Sequence, residues 1–388
     1  MLFLLRSNVM KKFKINISRD NISTTIKKIQ EYDWKKIPNN DGWELGTNKK
    51  VLKKICTYWT SKYNWEERQK KLNSFNQYTA KINDINIHFI YEKSQSKNAL
   101  PLLISHGWPG SIFEFKKIIG PLVNPKKYGL DNTICFDVIA PSIPGFGFSG
   151  SSVNPIGPRK IATYFNKLMV NILGYKKYYA QGGDWGGAIS SWLAADHDKY
   201  CRGIHLNIMI MRDKNGVKTV KEQLWKKNFI KNQIIEEGYR SLQSTKPNTL
   251  YFAMANNPVG IASWIIEKFH GWSDLKKNDL FSVYTMDEII DNTMLYILTN
   301  KFLSASWIYY GRRIEGGRVL NHNGKKINVP TACAIFPKEF LSWPPKSYVS
   351  RLYNLVQWNK FSSGGHFAAM EQPEFLVKDI RKFIKKIK

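Results

Sequence analysis

The stretch Gln181-Gly182-Gly183-Asp184-Trp185-Gly186-Gly187 sets one acid between two glycine pairs. A strand-like run, Tyr178 to Ala180, precedes it, and Ile189, Trp192 and Leu193 follow at helical spacing. The acid therefore falls in a strand-to-helix turn. The spacing is that of a nucleophile elbow, G-x-nucleophile-x-G, which lifts a side chain into a cleft above a sheet. A carboxylate placed there can displace a leaving group at a saturated carbon. The product is an ester, which water cleaves at its carbonyl; a serine would leave an ether, which water does not readily cleave. Taken alone, the pattern also fits a structural turn or a helix N-cap.

Its company in the chain gives the pattern meaning. His366 lies in SSGGHFAAMEQPE, a loop ahead of the last helix, where Gly364 and Gly365 allow close approach to a ligand. Glu339, in IFPKEF, comes just past a predicted strand end; Glu315 is the reserve candidate acid. The order nucleophile, acid, histidine is that of an α/β-hydrolase triad. His106-Gly107-Trp108-Pro109-Gly110 follows the apolar run PLLIS, so its loop can point a backbone N–H into the same cleft. The N–H groups of Trp108 and Trp185 would form an oxyanion hole.

These residues need a scaffold, and the chain outlines one. Residues 1–80 form an N-terminal segment, helical and aromatic from residue 13, with Ser18 and Asn21 as candidate caps, expected to pack on the core. Residues 81–204 alternate strand and helix, which predicts a parallel sheet with helices on both faces. FEFKKIIGPL reads as one helix of that set. Residues 205–326 break the rhythm with aromatic, mostly helical segments and read as a lid; residues 327–388 return to the core pattern. The expected class is α/β, an α/β-hydrolase sheet with a helical lid insertion and an N-terminal helical segment.

Composition narrows the function classes. With 388 residues, 43% hydrophobic, and 13 Trp, 19 Tyr and 21 Phe, the chain can fill a large core and an apolar pocket. The formal charge is +29, but the lysines are spread along the chain and no nucleic-acid motif appears, so no nucleic-acid partner is expected. The four cysteines form no CxxC pair and read as buried thiols; the seven histidines form no ligand motif, so no metal is expected. Leu2 to Leu5 is too short an apolar run for a signal peptide or a spanning helix, though with nearby lysines it is compatible with peripheral membrane association.

HGWPGS, PSIPGFGFS, QGGDWGG and GGHFAAMEQPE, in that order, resemble the epoxide hydrolases of the microsomal type, which include the insect juvenile hormone epoxide hydrolases. YWTSKYNWEERQKKLNSFNQYTAKINDINIHFIY is similar to that family's leading segment, so the resemblance runs from about Phe13 to the end. It implies Asp184 as nucleophile, His366 with Glu339 as the pair that activates water, and two lid tyrosines as proton donors. EEGYRSLQSTKPNTL points to Tyr239 for the first. SASWIYYGRR leaves Tyr309 and Tyr310 in competition for the second, and motif alignment favours Tyr309. The implied reaction is hydrolysis of a lipophilic epoxide to a vicinal diol, with water and no cofactor. The family implies an endoplasmic reticulum or microsomal membrane location, but the residues ahead of Phe13 show no anchor, so a cytoplasmic or peripheral location is also compatible. Two readings compete: a haloalkane dehalogenase-like hydrolase, which needs halide donors where the tyrosines stand, and a lipid- or hormone-binding protein on an inactive hydrolase scaffold.

Overall fold

The computed structural model describes residues 10–39, 42–320 and 326–388. The apolar run Leu2 to Leu5 lies outside them. Nine strands form one sheet: β1 Lys11–Phe13, β2 Gln77–Ile82, β3 Ile85–Glu92, β4 Leu100–Ser105, β5 Phe136–Pro141, β6 Tyr178–Gly182, β7 Cys201–Leu206, β8 Ile327–Ile335 and β9 Tyr353–Lys360. Their spatial order is β1-β2-β3-β5-β4-β6-β7-β8-β9. From β5 across to β9 every pairing is parallel, while β1, β2 and β3 join antiparallel. The sheet is thus mixed, where strand–helix alternation had predicted a parallel one. The reason is local: β2 and β3 meet in a tight hairpin with Asn83 at φ 54°, a turn that can only reverse the chain.

The central strands read as continuous apolar runs because both their faces are covered. Leu102, Leu103 and Ile104 of β4 and Val138, Ile139 and Ala140 of β5 are each at most 1% exposed. Helices α4 (Ile119–Val123), α5 (Pro158–Lys167), α6 (Asp184–Asp196), α12 (Lys346–Leu352), α13 (Ala368–Glu371) and α14 (Pro373–Ile387) supply the cover. Of these, α6 packs over β4, β6, β7 and β8 with α5 beside it, and α14 packs over β7 and β8. FEFKKIIGPL is not one helix: a 3-10 turn, Ile112–Lys117, capped by Ser111, comes before α4.

Between β7 and β8 the chain leaves the sheet as α7 (Val220–Thr245), α8 (Pro247–Met254), α9 (Pro258–Gly271), α10 (Met286–Leu298) and α11 (Phe302–Ile314). His205 and Leu206, placed in the lid by the sequence pattern, are still strand residues paired with β6 and β8. The N-terminal helices α1 (Arg19–Gln30), α2 (Lys49–Ser61) and α3 (Trp65–Leu72) complete the set. Ser18 caps α1, whereas Asn21 lies inside it. Packing on the core holds for β1 and β2, but α1 and α2 lie against α9 and α10 of the lid. Tyr63 and Arg68 both bind Asp291 of α10, at 2.9 and 2.8 Å. The N-terminal segment therefore straps the lid to the sheet. Among the described residues no helix is long and apolar enough to cross a membrane.

Candidate active site

Strand β6 ends at Gly182 and α6 begins at Asp184, so the acid sits at the bend itself. Its φ is 45°, in the left-handed region, which costs an L-residue about 1–2 kcal/mol. The bend leaves no room beneath it: a Cβ on Gly186 would lie 1.9 Å from the carbonyl oxygen of Ser105. The strained turn buries the carboxylate and aims it across the end of the sheet. Asp184 is 8% exposed, and its Oδ1 accepts the N–H of Trp108 at 2.7 Å. The N–H of Trp185 also donates to it. The two donors expected for an oxyanion hole thus converge on one carboxylate.

The other oxygen, Oδ2, stands 3.6 Å from His366 Nε2. On the far side of the ring, Nδ1 bonds Glu339 at 2.9 and 3.0 Å. Both partners are buried, and Glu339 Oε1 also accepts the N–H of Leu341 at 3.1 Å, which fixes the carboxylate. Burial works against a charged imidazole. The charge and hydrogen bond of Glu339, followed by the charge of Asp184, outweigh it and push the His366 pKa up to about 9. Burial raises Asp184 above its ordinary value, with His366 and the two N–H donors pulling the other way.

The roof is aromatic. Tyr239 of α7 stacks on Trp108 at 5.1 Å between centroids, and Tyr309 of α11 meets Trp185 edge-on at 4.7 Å. The two phenol rings are 5.8 Å apart, edge to face. Both are buried, and burial followed by the nearby negative charges, Asp184 among them, keeps both phenols protonated well above the usual range. Tyr310, one residue on, turns outward to line a surface groove with Trp307 and Asn248. Glu315 is also elsewhere: its carboxylate accepts the N–H groups of Gly157, Arg159 and Lys160 at the start of α5. The structure thus brings together Asp184, His366, Glu339, Tyr239, Tyr309, Trp108 and Trp185, and leaves Tyr310 and Glu315 outside.

Three features went unread in the sequence. The His366 loop is fastened to the lid: His366 N–H donates to the Trp272 carbonyl at 2.9 Å, and Gly364 N–H to Asp274 Oδ2 at 2.8 Å. Glu371 then accepts the N–H groups of Gly365, Phe367 and Asp274 at 2.8–2.9 Å. Finally, Glu114 joins Asp184 and His366 around a cavity of about 10 Å³. A local signal existed for two of these acids, since Glu114 lies three residues past Ser111 of HGWPGS and Glu371 five past His366. Among the described residues, no group of three or more His, Cys, Asp or Glu is arranged to hold a metal ion.

Comparison with known proteins places the chain by family and fold. Residues 10–115 match the model of the epoxide hydrolase N terminus, and residues 101–253 that of the alpha/beta hydrolase fold. The chain is 35% identical to epoxide hydrolase 1 of Sus scrofa, over 97% of this chain and 88% of the relative. It is 34% identical to juvenile hormone epoxide hydrolase 1 of Ctenocephalides felis, over 98% and 86%. Among solved structures, the juvenile hormone epoxide hydrolase of Bombyx mori superposes with TM-score 0.89 at 29% identity, covering 98% of this chain and 95% of that one. The Aspergillus niger epoxide hydrolase gives 0.85 at 26%, covering 98% and 97%.

Proposed function

The chain belongs to the epoxide hydrolase family, and we propose that it opens lipophilic epoxides through an ester on Asp184. The observation that carries the mechanism is the pairing of a buried elbow carboxylate below with two buried phenols above. Epoxide opening needs both. The carboxylate attacks carbon from one side while the ring oxygen, which stays on the product as an alkoxide, needs a proton from the other. A departing halide needs no proton, so the phenol pair favours the epoxide over the halide reading.

Oδ1 is held by the N–H of Trp108, with the N–H of Trp185 beside it, which leaves Oδ2 to attack. As the C–O bond of the epoxide breaks, Tyr239 and Tyr309 hydrogen-bond the departing oxygen and deliver its proton. The ester then carries Oδ1 as its carbonyl oxygen, already seated in the oxyanion hole. Ester formation removes the Asp184 charge, one of those raising the pKa of His366. That loss lowers the pKa of the imidazole and so favours its neutral form, the form able to accept a proton. It takes a proton from water, and Glu339 holds the ring and stabilises its charged form.

The aromatic roof of Tyr239, Trp272 and Tyr309 suits an apolar epoxide, and the juvenile hormone epoxide hydrolases among the relatives support juvenile hormone or another lipid epoxide as substrate. The apolar run Leu2 to Leu5 with the lysines near it is the sequence feature that supports peripheral association with an anionic membrane surface, read by co-sedimentation with phosphatidylserine vesicles. The test of mechanism is a single turnover in heavy-oxygen water with enzyme in excess. The first diol is expected to carry unlabelled oxygen, with label entering Asp184. Label in that first diol would mean direct attack by water.

A further inference from the structure

The ester route leaves a stereochemical requirement unmet. A water attacking the Asp184 carbonyl carbon must turn a lone pair toward it. One O–H then points to His366 Nε2, and the second needs its own acceptor in a buried site. The cavity between Asp184 and His366 has a volume of about 10 Å³, close to the roughly 10–15 Å³ that one water occupies by this measure. Glu114, Gln181 and Asn207 complete its polar lining. Gln181 is 1% exposed, its Nε2 donates to Asn207 Oδ1 at 2.9 Å, and its Oε1 is buried with no hydrogen-bond partner. An orphaned buried acceptor in a water-sized cavity marks a place for a donor.

Glu114 reaches this cavity because the loop before it folds back tightly. A Cβ on Gly110 would fall 1.5 Å from Glu114 Oε1, so the carboxyl lies directly against that glycine. Tyr296 fixes the same loop by donating to the Gly110 carbonyl at 2.8 Å.

We infer that this cavity seats the hydrolytic water, and that Glu114 and Gln181 are positioning residues that accept its second O–H while His366 accepts the first. The inference rests on the ester mechanism proposed above. His366 Nε2 takes one proton as the water oxygen bonds to the Asp184 carbonyl carbon. The tetrahedral intermediate expels the diol oxygen, which takes that proton back from the imidazolium; Asp184 is left as the acid, and its remaining proton passes by way of solvent to the tyrosinate left by ring opening, which restores both groups. Glu114 gives up and gains no proton; its carbonyl oxygen receives a hydrogen bond. Consistent with that, burial raises its pKa, with Asp184 adding and His366 opposing, to about 8, so the group is neutral at pH 7.

The experiment separates the two half-reactions by rapid quench and intact-protein mass, using styrene oxide as probe. Glu114→Met is expected to slow ester hydrolysis about 10–100-fold, the scale of a misplaced nucleophile, with ring opening within about threefold. Glu114→Gln keeps a carbonyl acceptor and is expected to recover most of the loss. Gln181→Met supplies an independent test should Glu114→Met fold poorly, with the same selective slowing. Unchanged ester hydrolysis in Glu114→Met and Gln181→Met would overturn the inference, as would equal losses in both half-reactions. Absence of any ester even in His366→Gln would instead sink the covalent route, and this inference with it.

Discussion

The backbone N–H of His366 donates to the carbonyl of Trp272 at 2.9 Å, so a lid residue holds the loop that carries the base. Asp274 reinforces the link through Gly364 N–H at 2.8 Å. Asp274→Ala removes that second tie while leaving every reacting group in place. Ester hydrolysis should fall by up to about 10², since a base displaced by an ångström loses that much, and ring opening should fall less. Equal losses in the two steps, measured by rapid quench, would argue for general loosening of the fold instead.

Asp184 and His366 should fail in different ways. Asp184→Asn has no attacking carboxylate and is expected to form neither ester nor diol. His366→Gln keeps the nucleophile and loses the base, so it should gain the mass of the epoxide and hold it. An Asp184→Asn enzyme that acquires that mass would move the nucleophile elsewhere.

The roof tyrosines are set apart from their neighbour by where they face. Tyr239 and Tyr309 are 7% and 2% exposed and surround Trp108, while Tyr310 faces a surface groove. Losing proton donation should cost about 10²–10⁴ in ring opening when Tyr239→Phe and Tyr309→Phe are combined, and less for either alone. Tyr310→Phe should leave the ring-opening rate close to that of the unmodified enzyme. If Tyr310→Phe instead proved the slowest single variant, the outward orientation of its ring would be wrong.

His366 also links stability to pH. Its pKa in the folded protein is about 9, above the usual 6.5, because the acids around it outweigh burial. A raised folded pKa adds stability that is complete below about pH 6.5 and is lost as pH rises through 9, by about 1.4 kcal/mol for each pH unit across that window. Urea unfolding should therefore show stability declining from pH 6.5 to 9, and His366→Gln should decline less steeply. An identical slope in that variant would remove His366 as its source.

What could be read from the sequence was what sits close together along the chain. The Asp184 bend is legible because one short run holds both the acid and the glycines that make room for it. The hairpin strand β3 was legible as a strand, but not its direction, and β1 is three residues, Lys-Lys-Phe, with no periodicity to read. Tyr309 and Tyr310 could not be separated by composition, since both sit in one helix and about 100° of helical rotation decides which faces inward. The ties from Trp272 and Asp274 to the His366 loop left no trace, because backbone groups make half or more of each bond and any residue supplies those. Nor did the N-terminal helices announce that they rest on the lid; an amphipathic helix shows that it has an apolar face, not what that face meets.

Tyr239, Trp272 and Tyr309 over Asp184 are each at most 7% exposed, so the ceiling is shut. Admission then requires breathing of the aromatic ceiling, and since the diol is bulkier than the epoxide by one water, departure requires at least as wide an excursion. An enzyme closed in this way is expected to act as an airlock, with throughput capped by how often the ceiling opens. With a fast-reacting epoxide, turnover should track solvent viscosity rather than the reactivity of the ring.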